Sequence, residues 1–116
     1  MSHHEDSVRL RHMLAHAREA AELVQGKTRE DVKRTRVLEL ALVRLVEIVG
    51  EAASRVSQKV RRNDPQIPWV DVAGMRNRIV HGYDRVDLDV LWDTVTDDFP
   101  PLIAELEKIL PPESTG

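Results

Sequence analysis

Cysteine is absent from the 116 residues. That excludes a disulfide framework, a thiol nucleophile and a Cys-based zinc site, and it is compatible with an intracellular compartment. Aromatic residues are almost as scarce, with Trp69, Tyr83, Trp92 and Phe99 making up the whole set. A core must therefore be assembled from Leu, Val, Ile and Ala, which favours close helix–helix packing over a β-sandwich. The same scarcity argues against sequence readout by base stacking. No apolar run is long enough to span a bilayer, and the polar start from Met1 to Asp6 leads directly into a charged helix. The expectation is a soluble, cytoplasmic protein with no membrane partner. His3 and His4 are adjacent on a terminus, without the further ligands in fixed geometry that a metal site demands, so no metal and no cofactor is expected. A glycine-rich phosphate loop, an internal repeat and a low-complexity block are also missing, which discourages a nucleotide-binding reading.

What is present suffices to fold. Hydrophobic residues make up 41% and charged residues 32%, enough apolar material to offset chain entropy and too patterned for a disordered segment. The length suits one domain over residues 1–116, with an ordered core over about 6–110 and a loose tail over 111–116. The net charge of −3 hides an asymmetry: residues 1–83 carry 15 Lys/Arg against 11 Asp/Glu, whereas residues 84–116 carry 2 against 9. A mildly basic body can hold a few phosphates but lacks the excess of a protein that coats nucleic acid, so any RNA contact should be local.

Helical spacing dominates the chain. Asp6 or Ser7 can cap a first helix carrying Leu10, Met13, Leu14, Ala17, Ala21 and Val24, with Gly26 as its terminator. Thr28 and Asp31 resemble a capping box opening the segment 29–36. From Val37 an apolar stripe through Leu38, Ala41, Leu42, Leu45, Ile48, Val49, Ala52, Val56 and Val60 predicts one long helix, stopped by Asn63-Asp64-Pro65. Gly50 inside that stripe costs ~1 kcal/mol relative to Ala unless another backbone approaches closely, so a tight helix crossing is expected there. Pro68 suits the first turn of a third helix, for which Gly82 offers a stop. Asp87 can cap a fourth, and Pro100-Pro101 either kinks it or starts a fifth. The fold class is all-α, an antiparallel bundle of four to five helices.

The unusual stretch is Met75-Arg76-Asn77-Arg78-Ile79-Val80-His81-Gly82-Tyr83. On a straight helix Arg76 and His81 point ~140° apart, so a turn at Gly82 is needed to bring the imidazole and the Tyr83 hydroxyl toward a common cleft, which a second copy of the helix could complete. These residues suit phosphodiester cleavage without a metal. An imidazole can take a proton from a ribose 2′-hydroxyl or give one to the leaving oxygen near neutral pH. Arg76 supplies a permanent forked charge for the phosphate and its transition state, and Asn77 can orient either group in a supporting role. The nucleophile is then the substrate's own 2′-hydroxyl, so DNA should be inert. On spacing alone the pair reads more readily as serving the helix dipole and capping carbonyls, and Tyr83 as an ordinary half-buried tyrosine.

The run Arg76-Asn77-Arg78-Ile79-Val80-His81 resembles the signature of the HEPN superfamily, and His81-Gly82-Tyr83 resembles its HepT form. Ile48-Val49-Gly50-Glu51-Ala52-Ala53, Trp69 to Gly74, and Val86-Asp87-Leu88-Asp89 through Trp92-Asp93-Thr94-Val95 to Pro100-Pro101 are similar to that family as well. The resemblance implies a HEPN-like bundle that dimerises through its motif-bearing helices, so that two Arg-His pairs face one cleft as a metal-independent endoribonuclease. It further implies a toxin–antitoxin pair, in which a minimal nucleotidyltransferase antitoxin attaches AMP to Tyr83. Glu51 is a candidate cleft residue, with pairing to a helix arginine as the alternative. A different class of reading is a non-catalytic helical adaptor that binds the nucleotidyltransferase. The basic residues Lys27, Arg29, Lys33, Arg34 and Arg36 could guide RNA, but interruption by Glu30 and Asp31 fits a solvated face better.

Overall fold

The computed structural model describes residues 3–82 and 85–112. Among these residues the regular structure is helical: α1 (His3–Leu23), α2 (Arg29–Arg34), α3 (Arg36–Ser54), α4 (Gln58–Asn63), α5 (Trp69–Ile79), α6 (Leu88–Asp93) and α7 (Phe99–Ile109). Among the described residues no helix is long and apolar enough to cross a membrane. The amphipathic α3 is the spine, packed against α1 and α5, while α7 lies along α1 and α2 bridges α3 and α6. The core is the aliphatic one that the composition demands. Met13, Leu42, Val49, Ile67, Ile79, Leu91 and Leu106 are almost completely buried, joined by Phe99. Burying each of the larger ones stabilises the fold by roughly 1.5–3 kcal/mol.

Local signals explain most of the boundaries. Thr28 accepts from the Asp31 amide while the Asp31 carboxylate accepts from the Thr28 amide at 2.7 Å, so the capping box forms and α2 is a separate short helix. The hydrogen bond from the Thr28 amide holds the Asp31 carboxyl below its ordinary value. Asp87 caps α6 by accepting from the Val90 amide at 3.1 Å. Gly26 adopts φ +72°, the left-handed conformation that ends α1 without a Cβ penalty.

Two expectations are corrected. Asp6 does not cap α1, which begins at His3; it lies within the helix, 7% exposed, and accepts from the Ser57 amide at 3.0 Å and the Ser57 hydroxyl at 2.8 Å. The long helix expected from Val37 to Val60 is broken. Helix α3 ends at Ser54, and Ser57 caps α4 through the Val60 amide. Of the two alternatives at Pro100-Pro101, the start of a further helix holds: α7 begins at Phe99 with both prolines in its first turn, although no loop separates it from α6. Residues Thr94–Asp98 form a π-helical turn that runs straight into α7. Two successive prolines deny the Thr96 and Asp97 carbonyls their usual donors, and the wider turn, closed by the Phe99 amide on the Thr94 carbonyl, lets the helix continue.

Candidate active site

The site begins at the crossing of α3 and α5. Gly50 has no side chain to hold the helices apart: a Cβ there would lie 3.2 Å from the Val72 carbonyl oxygen and 3.5 Å from that of Ala73. This contact fixes an antiparallel register. Three residues before Gly50 on α3 is Glu47, and three residues beyond Ala73 on α5 is Arg76; the two meet, with Arg76 Nε donating to Glu47 Oε2 at 2.8 Å. The other oxygen, Oε1, receives Arg44 Nη1 at 3.0 Å. The Arg76 hydrogen bond holds the Glu47 carboxyl below its ordinary value; partial burial opposes this, and Arg44 adds to it. Half of the Arg76 side chain remains exposed, at 49%. Its guanidinium is therefore turned toward α3 rather than spent on the carbonyls ending its own helix, and with Nε engaged, its two Nη groups form the fork that suits a phosphate.

The second half of the motif lies beyond the helix. Expected at a helix end stopped by Gly82, His81 instead follows an extended residue, because α5 ends at Ile79 and Val80 takes φ −104°, ψ 117°. Val80 pairs with Val86 in an isolated antiparallel bridge. Two backbone bonds of 2.7 Å close this hairpin-like clip, one from the His81 amide to the Arg85 carbonyl and one from the Asp87 amide to the Ile79 carbonyl. Gly82 has φ +73° and nothing within 4 Å of a hypothetical Cβ, so it is a turn residue by conformation and not by crowding. His81 is exposed, and the 140° separation of a continuous helix does not apply to it. No hydrogen bond joins its ring to Arg76 among the described residues.

The remaining candidates divide. Asn77 is exposed and makes no side-chain hydrogen bond among the described residues. Glu51 is also exposed and receives Arg55 Nη2 at 2.8 Å, so it takes the alternative of pairing with a helix arginine while still lining a small concavity on the α1–α3 face. Tyr83 lies outside the described residues. The basic stretch is largely occupied: Arg29 binds Asp89 and Asp93 at 3.1 and 3.0 Å, clamping α2 to α6, while Lys33 pairs with Glu30 and Arg36 with Glu39. Glu47 was missed by sequence reasoning. Its signal was the Gly50 notch, since an antiparallel crossing at that residue places position 47 opposite position 76.

A larger groove of about 590 Å³ opens on the other flank of α5, where Met75, Phe99 and Leu102 form an apolar floor and Asp71, Arg78, Asp98 and Glu105 a charged rim. Burial raises the Asp98 carboxyl above its ordinary value, against the pull of Arg78. Of the run from Arg76 to His81 only Arg78 lines it; Arg76 and His81 themselves do not.

The sequence places this architecture among known proteins. A family profile described as HepT-like ribonuclease matches residues 9–109. A protein of Thermococcus cleftensis provisionally named ribonuclease HepT is 39% identical over 95 residues, covering 78% of this chain and 86% of its own. A relative in Caldanaerobacter subterraneus, carrying a provisional RNase name, is 34% identical over 104 residues, covering 90% and 93%. One from Methanocaldococcus jannaschii, named in the same way, is 33% identical over 81 residues, covering 70% and 67%. No solved structure matches the chain significantly.

Proposed function

Since the chain belongs to the HepT-like ribonuclease family, we propose that it is a metal-independent endoribonuclease, the toxin of a toxin–antitoxin pair, with Arg76 and His81 at its catalytic centre. The observation that carries this reading is the treatment of the two motif residues. Arg76 is anchored through Nε with its fork exposed, and His81 is carried past the helix end into solvent. Neither is consumed by the fold.

In this mechanism the Arg76 fork holds the scissile phosphate. One imidazole takes the proton of the ribose 2′-hydroxyl, whose oxygen attacks phosphorus; the bond to the 5′-oxygen breaks, and that oxygen takes a proton from a second imidazole. A homodimer supplies both acid and base, as His81 and His81 of the partner subunit, and the product is a 2′,3′-cyclic phosphate. No divalent ion is needed because the nucleophile lies in the substrate. Asn77, one residue beyond Arg76 and exposed, takes the supporting role of hydrogen-bonding the phosphate.

Neutralisation is assigned to Tyr83, two positions after His81 in the sequence. A nucleotidyltransferase antitoxin directs the Tyr83 phenolic oxygen onto the α-phosphorus of ATP, pyrophosphate leaves, and the phenolic proton passes to solvent. The attached AMP puts a bulky anion two residues from His81, competing with RNA by volume and by like charge. Purified protein should cleave RNA in EDTA and leave cyclic phosphate ends, whereas His81→Ala should fold and be inert; equal cleavage by that variant would sink the mechanism. The toxin role is checked by expression without the antitoxin, which should arrest growth in a manner abolished by Arg76→Ala. Co-expression with the antitoxin should add AMP mass to the peptide containing Tyr83.

A further inference from the structure

Beside the Arg76–Glu47 pair, on the α1–α3 face, lies a concavity of about 290 Å³ lined by Arg9 and His12 from α1, by Arg44, Ile48, Glu51 and Ala52 from α3 and by Arg55, which caps the end of α3. We infer that this concavity is a phosphate-binding subsite that holds the RNA strand on one side of the scissile bond. The inference rests on the ribonuclease reading above and extends it to the path of the substrate.

Three observations lead there. The first is charge. Around the concavity and Arg76 stand four arginines, Arg9, Arg44, Arg55 and Arg76, against two glutamates, Glu47 and Glu51, in a chain whose net charge is −3. Arg9 has no ion-pair partner among the described residues, and His12 adds an exposed ring donor one turn away on the same face of α1. The second is continuity. Arg44 lines the concavity, and it shares the Glu47 carboxylate with Arg76, one oxygen each at 3.0 and 2.8 Å. Two guanidinium groups bridged by a single carboxylate are within one nucleotide's reach of each other, so a strand whose scissile phosphate sits on Arg76 meets Arg44 at the adjacent phosphate. The third is shape. Arg55 is held against Glu51 through both Nε and Nη2, at 3.1 and 2.8 Å, which keeps the far wall in place across the concavity from Arg9. The opposite flank of α5 lacks these properties, its groove being rimmed by three carboxylates and one arginine.

The test uses the full chain and a 2′-O-methyl RNA decamer, which binds without being cut. Arg9→Ala combined with Arg55→Ala should weaken decamer binding about tenfold and make the salt dependence shallower by roughly 1.4 in log–log slope, the value for two lost phosphate contacts on a single strand. On a cleavable RNA decamer the same variant should raise KM far more than it lowers kcat. Lys108→Ala, a cation on α7, should shift the slope much less. Unchanged affinity and slope in the double variant overturn the subsite and leave the concavity to an acidic protein surface; a shift matched by Lys108→Ala overturns it too. Wild-type protein that binds the decamer with the full slope yet never cuts RNA refutes the nuclease and keeps the subsite. Cleavage with an unaltered slope in the double variant does the reverse.

Discussion

Arg76 and His81 are five residues apart, yet the molecule secures them in opposite ways. Arg76 is fixed by a side-chain contact to another helix, which depends on the register set at Gly50. His81 is fixed through backbone alone, by the clip that joins Val80 to Val86, and its ring is left without a described hydrogen bond. The difference suits the two chemistries proposed for these residues. A phosphate-binding fork gains from a geometry set in advance, because ordering it costs nothing at the moment of binding. An imidazole that gives and takes protons has to keep at least the ring nitrogen that faces the substrate free.

The comparison can be broken at either end. The largest effect is expected for His81→Ala, with RNA cleavage falling by about 10² to 10⁴-fold and stability unchanged within about 0.5 kcal/mol, checked by single-turnover cleavage and thermal melting. Gly50→Val should come next. Its methyls are forced against the α5 backbone, costing roughly 1–3 kcal/mol, and the spreading crossing separates Glu47 from Arg76, so stability and cleavage should fall together. Gly82→Ala sharpens the contrast, because a Cβ meets no neighbour there but the left-handed backbone resists it by about 1–2 kcal/mol. Cleavage should drop through kcat, while decamer affinity, governed by the arginines, changes little.

Glu47→Gln should have the mildest consequence for cleavage, a rise in KM as the Arg76 fork loses its anchor, with a stability loss of at most about 1 kcal/mol for a partly exposed pair. Its pH dependence has a definite sign. A carboxyl whose value is depressed by folding binds fewer protons in the native state, so its stabilisation is present above the unfolded value and is lost as pH falls through the folded one. The wild-type advantage over Glu47→Gln should therefore persist at neutral and mildly acid pH, and vanish only below the ordinary carboxylate range. A melting series in which that advantage grew toward acid would contradict the Arg76–Glu47 pairing.

Much of this architecture is legible in the sequence wherever the cause is local. Thr28 with Asp31 and Asp87 with Val90 are satisfied within one turn, and Gly50 announces a close crossing because nothing else offsets its cost. The break after Ser54 is not legible, since Val56 and Val60 maintain the apolar spacing across it and periodicity is blind to a change of axis. Its cause lies far away in sequence, where Asp6 binds Ser57. Similarly, nothing local at Val80 distinguishes a last helical residue from an extended one. The pairing with Val86 decides it. Arg76, Asn77 and His81 stand out in the sequence as residue types, but the geometry that orients Arg76 belongs to the fold, because Glu47 lies on another helix.

The notch at Gly50 and the anchor at Glu47 are separated by the same three residues as their counterparts Ala73 and Arg76. One residue inserted between 47 and 50, or between 73 and 76, would rotate the anchor about 100° around its helix while leaving the notch seated. Lineages of this protein can accordingly lengthen or shorten where α1 meets α2 or α4 meets α5, but deletions and insertions inside those two short intervals should be purged, even where every amino acid type is preserved.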